Sequence, residues 1–96
     1  LAQRLNLPMN KVINALNKGA ASSWALSNRS SFMINDEYPL GFRLDLHKKD
    51  LEIALSIAKE VDLILPIASL VKNIEEDLIA KGWAEKDVSV LKKAIQ

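Results

Sequence analysis

Cysteine is absent from these 96 residues, glycine occurs three times, and aromatic residues make up only 5%. Each shortage excludes something. Without cysteine there is no disulfide framework and no thiolate metal site, which fits a reducing compartment and makes the cytoplasm the expected location. Three glycines cannot build a Gly-x-Gly-x-x-Gly cradle, and neither a Gly-Lys-Ser/Thr loop nor His-Glu-x-x-His occurs, so a complete nucleotide-binding fold is excluded. The single His47 has no second histidine to join it, and no metal site is expected. Charge of one sign is also lacking: 13 basic against 12 acidic side chains give a formal +1, with no long-range field to attract nucleic acid or an anionic membrane. No apolar run approaches the roughly eighteen residues of a spanning helix, and no basic segment leads into an apolar one as in a signal peptide. Neither nucleic acid nor membrane is an expected partner. The serine pairs Ser22-Ser23 and Ser30-Ser31 have no evident base, and caps or turns explain them more simply.

What is present is punctuated helix, with 49% apolar residues in a length that suits one small domain. Leu1-Ala-Gln-Arg-Leu opens with no capping residue and reads as entry partway along a helix. Leu7-Pro8 starts a helix carrying Val12, Ile13 and Leu16, and Gly19 offers a left-handed stop. Ser22 or Ser23 caps a second helix through Trp24 and Leu26 toward Phe32 and Met33. Asn35-Asp36 and Pro39-Leu40-Gly41 form an irregular connection. From about Phe42 to Val61 two apolar stripes, Leu44/Leu51/Leu55/Ala58 and Leu46/Ile53/Ile57/Val61, predict a helix packed by several neighbours. Leu65-Pro66 starts another with Ile67, Leu70, Val71, Ile74 and Leu78 on one face, ending at Lys81-Gly82. Asp87 caps a last short helix bearing Val90, Leu91 and Ile95. No strand alternation appears, so the expected fold class is all-α, a compact cluster of about five helices over residues 1–96.

One segment combines groups that suit a ligand. In a helix starting near Phe42, Phe42, Leu46 and Lys49 fall at i, i+4 and i+7, setting an aromatic ring and an ammonium along one edge. The pair suits a flat anionic ligand, the ring giving contact to a heteroaromatic group and the lysine a charge-assisted bond. Spacing alone favours a plainer account: Asp45 and Lys49 as an acid-then-base pair on a surface helix, Phe42 as a core anchor, Asp50 as a helix charge, His47 as a polar side chain at a packed surface.

Four stations in order along the chain carry a family resemblance. They are Gly19 to Asn28 (Gly-Ala-Ala-Ser-Ser-Trp-Ala-Leu-Ser-Asn), Pro39 to Leu51 (Pro-Leu-Gly-Phe-Arg-Leu-Asp-Leu-His-Lys-Lys-Asp-Leu), Leu65-Pro66, and Gly82 followed by Asp87 and Ser89. Together they resemble the C-terminal domain of the β-hydroxyacid dehydrogenases, the 3-hydroxyisobutyrate dehydrogenase and tartronate semialdehyde reductase group of the 6-phosphogluconate dehydrogenase-like superfamily. The chain departs from that pattern at Leu40, at Asp62 where a glycine often ends the central helix, and at Trp83 to Lys86, where a small-residue turn is usual.

The resemblance implies a two-domain enzyme. A Rossmann domain carries NAD or NADP, a linking helix joins it to an all-α domain, and the cleft between them takes a small 3-hydroxy acid or semialdehyde. It implies that Lys49 reaches the cofactor, that Phe42 lies beside the nicotinamide, and that Asp50 helps hold the pair's geometry. It also implies that the proton-transferring lysine and its companion asparagine precede Leu1, so that no catalytic residue falls in this chain and the chain is inactive by itself. A homo-oligomer is the implied state, and self-association of the 96-residue chain is expected from its apolar faces. The alternative is a non-catalytic helical interaction module that keeps the dehydrogenase fold.

Overall fold

The structure, a computed structural model, describes residues 1–96. Four α-helices, α1 (Met9–Leu16), α2 (Trp24–Ile34), α3 (Leu44–Glu60) and α4 (Pro66–Ala80), are followed by a 3₁₀ helix, Val88–Ile95, with no β-strand. The all-α expectation is met. No helix is long and apolar enough to cross a membrane. The chain divides into two units, Leu1–Glu37 and Tyr38–Gln96.

In the first unit one helical turn precedes α1, and α1 and α2 contact each other. Of the two candidate caps of α2 it is Ser23 that serves, its hydroxyl accepting the Leu26 N–H at 2.9 Å. Gly19 does not supply the expected left-handed stop. Its φ is not positive, and α1 instead ends in tight turns, Lys18 N–H to the Ala15 carbonyl and Gly19 N–H to that of Leu16. Neither helix of this unit contributes a buried residue.

The left-handed stops lie elsewhere. Asn6, Asp36, Asp62 and Gly82 all have positive φ, and each closes a helical turn by the paired bonds of a Schellman motif. At the end of α3, Leu63 N–H reaches the Ala58 carbonyl at 2.8 Å while Asp62 N–H reaches that of Lys59. Only Gly82 adopts this conformation without a Cβ penalty. Asp62, at φ 55°, keeps the turn despite its side chain. Asp62→Gly is therefore expected to raise stability by about 0.5–1 kcal/mol, read as a higher urea midpoint at unchanged m value. An unchanged or lower midpoint would contradict it.

The buried apolar residues Tyr38, Leu44, Ala58, Leu78 and Val90 all belong to the second unit, where α3 packs on α4 and the 3₁₀ helix contacts both. Tyr38 meets Trp83 edge-on, with Lys93 against both rings. Of the two stripes on α3, Leu44, Leu51, Leu55 and Ala58 face this core, with Leu44 and Ala58 buried. The other stripe is not packed as expected: Leu46, Ile53, Ile57 and Val61 are exposed, as are Ile67 and Leu70 on α4. The last helix is 3₁₀ rather than α. Its opening sets a three-residue register, since the Asp87 side chain takes Ser89 N–H and the Asp87 carbonyl takes Val90 N–H at 2.9 Å.

Candidate cofactor-contact site

The helix that carries the candidate residues begins at Leu44, with Arg43 at its N-cap, so Phe42 lies outside it. The i, i+4, i+7 ridge of Phe42, Leu46 and Lys49 is therefore not continuous. What fixes Phe42 is the chain around Asp87. Phe42 N–H donates to Asp87 Oδ1 at 2.9 Å, Val88 N–H donates to the Phe42 carbonyl at 2.9 Å, and Arg43 pairs with Asp87 in an isolated antiparallel bridge. Arg43 offers no side-chain cap to α3. Backbone carbonyls of the same returning segment do that work, Leu44 N–H reaching Lys86 and Asp45 N–H reaching Ala84. The segment Trp83 to Lys86, read as a departure from the family pattern, is thus the cap of the central helix.

Asp87 itself is 2% exposed and also accepts Ser89 N–H at 3.0 Å and Ser89 Oγ–H at 2.6 Å. Every one of these partners is a donor, a set that an ionised carboxylate satisfies with both oxygens. From the sequence Asp87 reads as a helix cap. Its grip on Phe42, 45 positions away, has no local signature.

On α3 the surface charges sort themselves. Asp45 does not pair with Lys49. It is held by Arg43 through Nε at 3.0 Å and Nη2 at 2.6 Å, and this hydrogen bonding draws the Asp45 carboxyl below its ordinary range and raises the guanidinium. Lys48 makes the i, i+4 pair instead, with Glu52 at 2.9 Å, and also approaches Glu76, which Lys72 holds at 2.8 Å. Lys49 is exposed and has no carboxylate within ion-pair distance, and Asp50 beside it is exposed too. By helical rotation the two flank the ridge of Leu46 and Ile53, on the side of α3 turned away from the core. The surface-pair account of Lys49 therefore fails, and a cation without a partner is left at the edge of an exposed apolar stripe.

One residue of this region escapes the sequence reading altogether. Glu75 is fully buried, its Oε1 2.5 Å from His47 Nδ1 and its Oε2 without a hydrogen-bond partner. Burial pushes its carboxyl above the ordinary glutamate range, against the opposing pull of His47. The signal for it is present on α4: Glu75 lies between Val71 and Leu78 at i+4 and i−3, a charge on the apolar face. His47 in turn meets the Phe42 ring edge-on, centroids 5.7 Å apart and planes at 88°.

This arrangement of helices is not peculiar to the chain. Residues 1–95 match the family described as the NAD-binding domain of NADP-dependent 3-hydroxyisobutyrate dehydrogenase. The chain belongs to this family. A 3-hydroxyisobutyrate dehydrogenase from Salmonella typhimurium has the same fold over 96% of the chain, with a TM-score of 0.84 and 26% identity. An oxidoreductase of Shewanella frigidimarina is 40% identical over 84% of the chain, and the 2-hydroxy-3-oxopropionate reductase of Escherichia coli K12 is 35% identical over 90%. The resemblance drawn from the four stations is borne out. The chain spans only 28% and 30% of those two relatives and 32% of the Salmonella dehydrogenase. The region from Phe42 to Asp50 presents a half-buried ring on a fixed backbone and an unpaired ammonium.

Proposed function

We propose that this chain forms the helical, cofactor-contacting part of an NAD(P)-dependent oxidoreductase acting on a small 3-hydroxy acid or semialdehyde, of the 3-hydroxyisobutyrate or tartronate semialdehyde type. The observation that carries the reading is Lys49, exposed and unpaired in a family whose members bind a dinucleotide, while the adjacent Lys48 is tied to Glu52. The cofactor supplies hydride acceptance and donation when bound. Lys49 gives a charge-assisted hydrogen bond to one of its oxygens and Phe42 lies against a flat ring, while Asp50, on the other flank of the same ridge and not paired with Lys49, belongs to the site by resemblance alone. No residue of the chain transfers the substrate proton in this reading. The chain by itself is inactive.

Steady-state rates of the oxidoreductase that carries this chain, with NAD(H) and NADP(H) against tartronate semialdehyde, 3-hydroxyisobutyrate and related short acids, test the assignment. Turnover of at least one of these pairs is expected. Absence of turnover with every pair in a folded protein would shift the reading to a non-catalytic interaction module.

The second stripe of α3, Leu46, Ile53, Ile57 and Val61, with exposures of 44% to 66%, supplies an oligomer surface in the same reading. The 96-residue chain is expected to run above its monomer mass in sizing with light scattering, and a monodisperse monomer would count against that.

A further inference from the structure

Phe42 stands outside α3, and its ring touches His47, whose own ring is held from behind by Glu75. From this chain of contacts we infer that Glu75 is a positioning residue for the cofactor contact of Phe42, acting through the His47 imidazole. The inference rests on the proposed role of Phe42 and adds to it a residue on another helix.

The physical need is clear from what holds the two rings. The Phe42 backbone is pinned by Asp87 and Val88, but that leaves its side-chain torsions free. The His47 side chain is one-third exposed, and an imidazole turns readily about its last torsion, so alone it is a poor wall for another ring. A carboxylate oxygen 2.5 Å from Nδ1 removes that freedom, fixing both the ring plane and which nitrogen faces outward. The edge-on contact at 88° then confines Phe42 from one side.

The cost of the arrangement points the same way. Glu75 sits between Val71 and Leu78 on the apolar face of α4, fully buried, with Oε2 unsatisfied. A leucine there would avoid the desolvation of a polar group, and replacing a buried charge by an apolar side chain is often neutral or stabilising. A glutamate that serves stability poorly is explained by the geometry it imposes on His47.

The test is a double-mutant cycle in the oxidoreductase that carries this chain, reading the cofactor KM and kcat for Phe42→Leu, Glu75→Leu, the two together, and Glu75→Gln. Phe42→Leu and Glu75→Leu are each expected to raise the cofactor KM about three- to tenfold with a smaller effect on kcat, the scale of losing one aromatic contact. The double variant is expected to be no worse than Phe42→Leu alone. Glu75→Gln keeps an acceptor for Nδ1–H and is expected to stay within about twofold of wild type. In the 96-residue chain the Phe42 ring-proton shifts are expected to move in Glu75→Leu and stay in place in Glu75→Gln. Should Glu75→Leu fail to fold, His47→Leu replaces it in the cycle with the same expectation. Additive effects of the two substitutions, or a Glu75→Leu enzyme with unchanged cofactor KM, would overturn the inference while leaving the role of Phe42 standing. A Phe42→Leu enzyme with unchanged cofactor KM would remove the cofactor role of Phe42, and the inference with it.

Discussion

Asp87→Ala is expected to lower the unfolding free energy by roughly 2–5 kcal/mol, a large part of what a small domain has. The side chain is 2% exposed and takes donors from two places at once, Phe42 N–H at the entrance of α3 and Ser89 N–H and Oγ–H at the start of the 3₁₀ helix. Truncation leaves those donors facing a cavity with no acceptor, and an orphaned buried donor costs more than the bond it made. Asp87→Asn is milder but still destabilising, because its NH₂ replaces one of two oxygens that both face donors. Urea unfolding of the 96-residue chain measures both. A change below about 0.5 kcal/mol for Asp87→Ala would show that the segment from Ala84 to Val88 is held without it. The same substitution releases the backbone of Phe42, so stability and the proposed cofactor contact are expected to fall together.

The elements of the fold were legible because proline, serine and glycine punctuate an apolar period of 3.6. Pro66 opens α4, Ser23 caps α2, and Gly82 ends α4 with a positive φ. The punctuation misleads where a polar residue does glycine's work: Asn6, Asp36 and Asp62 hold left-handed turns that glycine would take more readily, while Gly19 has no positive φ. Contacts remote in sequence leave no local signal. Nothing near Phe42 announces that Asp87 accepts its N–H, and nothing near His47 announces Glu75, 28 positions on. Exposure of the second α3 stripe lies outside what periodicity can say, since an apolar face specifies that it packs and not which segment packs on it. Spacing leaves two accounts of Lys49, and it is the resemblance that turns the reading toward a cofactor contact. The structure added the point that spacing could not decide, that Asp45 turns to Arg43 and leaves the lysine unpaired.

The cationic group is the strongest single contact proposed for the cofactor, so its removal carries the largest expected functional effect. A charge-assisted hydrogen bond to a dinucleotide oxygen is worth about a ten- to hundredfold change in affinity. Lys48 provides the internal control: one position away, also a lysine, and occupied by Glu52 and Glu76. Arginine at position 49 keeps the charge but not the compact ammonium, and an intermediate loss is expected of Lys49→Arg. The direct measurement is the dissociation constant of NADH and NADPH for the proposed oxidoreductase, in wild type, Lys49→Ala and Lys48→Ala, at one ionic strength. Binding is expected to weaken about ten- to hundredfold in Lys49→Ala and less than about threefold in Lys48→Ala if Lys49 contacts the cofactor. Equal affinities in all three proteins, with the fold intact, would contradict it.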